Sequence, residues 1–102
     1  MRKVLINRKM IQRRREKTFE ECMESGMTPM QTEVFLIIDE FWKKYGYGPS
    51  LRNIAVARGK MGLGNTKEIV DRLVKLGVVK RIDGMARSVR PVYINFRELD
   101  VE

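Results

Sequence analysis

Gly59-Lys60-Met61-Gly62-Leu63-Gly64 places three glycines in six residues, directly ahead of Asn65-Thr66-Lys67-Glu68. A glycine-rich turn before a helix start lets backbone amides approach a phosphate. Two chemistries use such a turn: a nucleotide cradle, and the turn of a DNA-binding motif. The cradle requires GxxxxGK[ST] between a buried strand and a helix. Here the glycine–lysine pair leads the stretch, and the element before it reads as helix. No strand–helix–strand unit surrounds the glycines, so a dinucleotide fingerprint fails as well.

The residues after the turn suit base edges better. At about 100° per residue, helix 65–76 turns Ile69, Val70, Leu73 and Leu76 inward. Gly64, Lys67, Glu68, Asp71 and Lys75 fall on the opposite side. Asparagine offers the donor and acceptor that match adenine, lysine donates to guanine, and carboxylates accept from cytosine. Asn65, Lys67, Glu68 and Asp71 are therefore the candidate base-contacting residues. A solvated helix face would show similar types. The charge balance and the hairpin beside this helix favour DNA contact.

Phosphates need cations and helix N-termini but no particular sequence. Ser50, Arg52, Lys60, Thr66, Lys75, Lys80, Arg81, Arg87 and Arg90 are the candidates for that role. Arg87 is the first choice, because it lies near the expected tip of the hairpin.

Composition narrows the alternatives. The 102 residues carry +8 net charge, with 43% hydrophobic and 33% charged residues. That describes one small folded domain with a polyanionic partner. Histidine is absent, which removes the commonest general base and metal ligand. Cys22 is the lone cysteine, so no intrachain disulfide, metal site or cofactor is expected. Neither an enzyme nor a membrane span is expected, and no signal-peptide core follows Arg2-Lys3. A reducing cytosol fits the cysteine usage.

Basicity is uneven. Residues 1–26 sum to +4, residues 28–45 to −1 and residues 50–97 to +8. The middle segment therefore reads as scaffold. Thr28-Pro29-x-Gln31 opens the first strong helix as a capping box with proline at its first position. Val34, Ile38, Phe41, Trp42 and Tyr45 recur at helical spacing and read as core, with Leu36 and Ile37 widening the arc. Gly46 ends the helix as a left-handed cap. Ser50 caps a second helix running to about Arg58, with Leu51, Ile54 and Ala55 inward and Gly59 as stop. Asn65-Thr66-Lys67-Glu68 reads as a capping box for the third helix, and Gly77 terminates it. Val78–Ile82 and Ser88–Ile94 read as strands around an Asp83-Gly84 turn, with Pro91 suited to an edge.

The expected fold is mainly α with a small β-hairpin. It is a winged helix-turn-helix, a three-helix core plus a wing, with an N-terminal basic extension. The boundaries expected are a basic arm over 1–26, the winged domain over 27–96 and a tail over 97–102. In the arm, Ile11, Phe19 and Met23 share a helix face that Arg15 interrupts. Arg13, Arg14 and Arg15 can grip DNA, or the arm's apolar positions can pair two copies as a homodimer.

Several separate stretches resemble the DNA-binding domain of the LexA SOS repressor family. They are Thr28-Pro29-x-Gln31-x-Glu33-Val34, Gly46-Tyr47-x-Pro49-Ser50, Ile54-Ala55, Leu76-Gly77-Val78 and Gly84-x-Ala86-Arg87. The resemblance covers roughly residues 27–94 and implies a sequence-specific bacterial or phage DNA-binding module. Three departures accompany it. LexA repressors carry a self-cleaving serine–lysine protease domain that also dimerises them. These 102 residues leave no room for it, so neither self-cleavage nor that dimer interface is expected. Gly62-Leu63-Gly64 stands where the family usually has Ser-Pro. Arg58 stands where an apolar residue is usual. It falls on the face of Leu51 and Ile54, so it is expected to snorkel outward while Met61 or Leu63 fills its place.

The function expected is that of a transcriptional regulator of the repressor type, in the bacterial nucleoid or phage-infected cytosol. Its partner is double-stranded DNA. The alternatives are a protein-interaction adapter or anti-repressor on the same fold, and a non-specific nucleic-acid-binding protein.

Overall fold

The computed structural model describes residues 17–60 and 62–94. Among these, the order is α1 (Phe19–Met23), α2 (Pro29–Tyr45), α3 (Leu51–Ala57), α4 (Gly64–Leu76), β1 (Val79–Lys80) and β2 (Arg90–Pro91). This is the mainly helical winged helix-turn-helix that the pattern of caps and glycines implied. Arg13, Arg14, Arg15 and the tail 97–102 lie outside the described residues.

Local chemistry sets the boundaries. Thr28 Oγ1 accepts from the Gln31 amide at 3.2 Å, and Gln31 Oε1 accepts from the Thr28 amide at 3.0 Å. Thr18 and Glu21 form the same reciprocal cap for α1. Gly46 and Gly77 close α2 and α4 at φ 77° and 85°, where a side chain would be strained.

The helices bury one shared core. Val34, Phe35, Ile38 and Trp42 come from α2, Ile54 from α3, and Ile69, Val70 and Leu73 from α4. Val78, Val79, Val89 and Val92 close it from the wing side. Cys22 joins the same core from α1. The Phe19 ring sits 6.1 Å from both Phe35 and Tyr93. Residues 17–23 therefore pack against the body.

The aromatic stripe of α2 divides in two. Trp42 is buried, whereas Tyr45 is 47% exposed. Phe41, Tyr45 and Tyr47 form a surface cluster, with Phe41 and Tyr45 rings 4.6 Å apart. The expectation of a wholly internal stripe is corrected here. Tyr45 sits in the last turn of α2, where it borders an open groove between α2 and α3 with Arg52 and Val56.

The wing is shorter as a ladder than expected. Only Val79↔Pro91 and Lys80↔Arg90 pair, antiparallel. Proline has no amide to donate. Beyond Lys80 a side chain replaces the ladder: the Ser88 hydroxyl accepts from the Ile82 amide at 2.9 Å and donates to the Ile82 carbonyl at 3.0 Å. The wing is also bolted to the body. Trp42 Nε1 donates to the Val89 carbonyl at 2.8 Å.

A buried carboxylate anchors the chain after β2. The Asp39 side chain is 3% exposed, and its Oδ2 pairs with Lys43 Nζ at 2.9 Å. The Tyr93 hydroxyl donates to Asp39 Oδ1. Burial first, then the hydrogen bond to the Asp39 carboxylate, push the Tyr93 phenol well above its ordinary 10.0. The hydrogen bond to Asp39 also raises the Lys43 ammonium, followed by the charge of the same carboxylate. Both groups hold protons more tightly folded than unfolded. Their contribution is complete below about pH 10 and is lost as pH climbs through the raised folded values. Tyr93→Phe should cost about 1–3 kcal/mol at neutral pH, since buried Asp39 loses a donor. Above about pH 10, wild type should lose denaturant resistance more steeply than the variant. Urea titrations across pH measure both slopes.

Candidate nucleic-acid interface

The face of α4 turned away from the core carries Asn65, Lys67, Glu68, Arg72 and Lys75, all exposed, with Asp71 half-buried among them. Ile69, Val70 and Leu73 lie beneath, and Leu76 is partly buried. The division of this helix into inner and outer faces thus matches its sequence periodicity. Arg72 is a surface cation that the candidate set omitted. It lies seven residues beyond Asn65 and four beyond Glu68, so helical spacing alone places it on their side.

The start of α4 differs from the expected capping box. The helix begins at Gly64, with Leu63 at the N-cap and no side chain closing it. Asn65 is therefore inside the first turn, too late to cap it. Glu68 is exposed rather than folded back on a cap residue. The first-turn amides keep the open character of an uncapped N-terminus.

Arg58 explains part of this change. Its side chain is 1% exposed, so it does not snorkel. Arg58 Nη1 donates to Thr66 Oγ1 at 3.1 Å and to Asn65 Oδ1 at 3.5 Å. Nε lies 3.7 Å from Glu33 Oε1, within charge-pairing range but without a hydrogen bond. One guanidinium thereby links the end of α3, the first turn of α4 and the start of α2. Leu63 is 39% exposed and does not fill the position, and Met61 lies outside the described residues. The sequence could not show that three helices bring partners to one point. Thr66 is likewise corrected as a phosphate ligand through its side chain: it is 0% exposed, and Arg58 holds its hydroxyl.

A second cluster joins α4 to the wing. Asp71 Oδ2 is 3.1 Å from Lys67 Nζ, and Asp71 Oδ1 is 3.0 Å from Arg81 Nη1. Both carboxylate oxygens therefore meet cations, one on α4 and one leaving β1. Asp71 orients neighbours here in addition to facing outward. Lys67 and Arg81 are held side by side on a single surface.

Arg87 lies in the wing loop, but its side chain turns back onto the body. The turn is at Ile82–Met85, closed by the Met85 amide on the Ile82 carbonyl at 3.1 Å. Arg87 follows two residues later in the same loop, with φ 60°, a left-handed conformation. Its Nη1 donates to the Gly48 carbonyl and to Asn53 Oδ1, each at 3.2 Å. Its guanidinium carbon is 5.2 Å from the Tyr47 ring centre. Asn53 is shared: its Oδ1 also accepts the Ser50 amide at 3.0 Å, while Ser50 Oγ accepts the Asn53 amide at 3.0 Å. Ser50, Asn53 and Arg87 thus form one knot joining α3 to the wing. Arg90 Nη1 donates to the Ile94 carbonyl, and Lys80 is half-buried on β1. Arg52 and Lys60 are exposed, at the start of α3 and just after it.

Among the described residues, no helix is long and apolar enough to cross a membrane. No curated protein matches the chain. The family model of the LexA DNA binding domain matches residues 24–88, from the end of α1 through α2, α3, α4 and β1 into the wing. That span contains the uncapped helix start, the outward face of α4 and the Lys67–Asp71–Arg81 cluster. A match over more than half of the residues settles the family: the chain belongs to the LexA DNA-binding domain family, and double-stranded DNA is its partner.

Proposed function

We propose that the protein is a sequence-specific transcriptional repressor of bacterial or phage origin, acting in the cytosol. In this reading α4 enters the major groove and the wing follows the backbone. Asn65, Lys67 and Glu68 meet base edges, with Asp71 setting the position of Lys67. Ser50, Arg52, Lys60, Lys75, Lys80, Arg81, Arg87 and Arg90 serve the phosphates. The observation that carries the reading is the Asp71 bridge, which presents Lys67 of α4 and Arg81 of the wing as one surface. No catalytic step is involved. Two copies paired through the arm would double the surface buried on DNA and fix the half-site spacing. Arg13, Arg14 and Arg15 add phosphate contacts in that arrangement.

Selection from a random duplex pool followed by salt titration tests the reading. Arg52→Ala and Lys75→Ala should each weaken all sequences alike and lower the salt slope by about one. Lys67→Ala should relax preference at one base position, at about 1–3 kcal/mol. Affinity without any preferred sequence would make the protein a general nucleic-acid binder. Absence of duplex binding, with capture of a defined protein, would make it an adapter.

A further inference from the structure

We infer that Arg58 is a positioning residue that makes Asn65 a hydrogen-bond donor toward DNA, so that Asn65 selects a base presenting acceptors, guanine first. The inference rests on the proposal that α4 enters the major groove. It starts from donor and acceptor inventories. A guanidinium donates only, and an amide side chain has one accepting end and one donating end. The end of Asn65 facing Arg58 is therefore its oxygen. The opposite orientation would set N–H against N–H beside a buried cation.

The guanidinium is not a mobile surface group. Its side chain is 1% exposed, with Nη1 held on Thr66 Oγ1 at 3.1 Å and Nε facing Glu33 at 3.7 Å. Nη1 carries two hydrogens. Thr66 takes one, and the other is directed at Asn65 Oδ1, 3.5 Å away. Asn65 itself is exposed in the first turn of α4. With its oxygen drawn toward the helix junction, Nδ2 becomes the outermost polar atom. Two outward N–H groups suit N7 and O6 of guanine, and less fully O4 of thymine. They oppose the exocyclic amino groups of adenine and cytosine. The ordinary expectation for asparagine, a two-point contact with adenine, needs both ends of the amide turned outward. Arg58 works against that arrangement.

The test is enrichment from a synthetic duplex library with wild type, Asn65→Ala and Arg58→Met, each first checked for a cooperative thermal transition. Asn65→Ala identifies the position that Asn65 reads. Wild type should prefer guanine there, by about fivefold or more over adenine. Arg58→Met releases the amide and should shift that ratio toward adenine by a similar factor, leaving the other positions alone. Adenine or cytosine as the wild-type base at that position overturns the inference, without needing the Arg58 variant at all. So does a guanine preference that Arg58→Met leaves intact. A library from which wild type enriches no sequence overturns the DNA-reading proposal together with this one.

Discussion

Gly48→Ala is expected to cost about 3 kcal/mol, near the top of the range for overpacking, and to loosen the wing. The reason is steric. A Cβ at Gly48 would lie 2.5 Å from the Arg87 and Val89 carbonyl oxygens and 3.0 Å from the Arg87 carbonyl carbon. These are backbone atoms, so no flexible side chain can swing aside. The same backbone is held from two other directions. Trp42 Nε1 bonds the Val89 carbonyl at 2.8 Å, and Arg87 Nη1 bonds the Gly48 carbonyl at 3.2 Å. Making room means lifting the wing off the α2–α3 turn and weakening both bonds. In a domain of this size, the loss corresponds to a fall in melting temperature of about 12–24 °C. Duplex affinity should fall with it, because Arg81 leaves its place beside Lys67. A thermal melt within a few degrees of wild type would show that the wing has slack that the contacts do not suggest.

The second large effect concerns the buried guanidinium, and its signature is non-additivity. Thr66→Val preserves shape but removes the 3.1 Å acceptor from Arg58. The charge then stays buried with only Glu33 at 3.7 Å and Asn65 at 3.5 Å. The expected cost is about 2–4 kcal/mol. Arg58→Met removes the charge and keeps much of the volume. It should cost less than about 1 kcal/mol, since an apolar group of similar size often replaces a buried ion at little loss. The double variant should therefore be more stable than Thr66→Val alone. A coupling of about 2 kcal/mol lies within the range found for residues in contact. Chemical denaturation of the four proteins closes the cycle. Simple additivity would mean that the hydroxyl contributes nothing to holding the charge.

What could be read in the sequence follows from the range of the forces involved. The Thr28–Gln31 cap, the Ser50 cap and the glycine stops at Gly46 and Gly77 are decided within four residues, so residue type and spacing suffice. The same holds for Thr18-Phe19-Glu20-Glu21, whose S/T-x-x-E spacing marks the start of α1. The inner face of α4 was legible because Ile69, Val70 and Leu73 recur at helical spacing. Arg58 was not legible. Its burial depends on Thr66, Asn65 and Glu33, which meet only once α2, α3 and α4 have docked. The docking of the Arg87 side chain was not legible for a similar reason. Its place depends on Gly48, which sits thirty-nine residues earlier and admits the wing backbone. The wing ladder was overestimated because β-branched composition cannot reveal that the Ser88 hydroxyl replaces strand pairing at Ile82. In the candidate site, periodicity located the outward side chains. It did not say which of them hold each other.

The chain contains one tryptophan, and its indole touches the backbone of the wing. The protein thus carries a built-in optical gauge. Emission from Trp42 will shift toward the red and quench more readily if that flap lifts and water reaches the ring. Motion on DNA can be followed without attaching any dye.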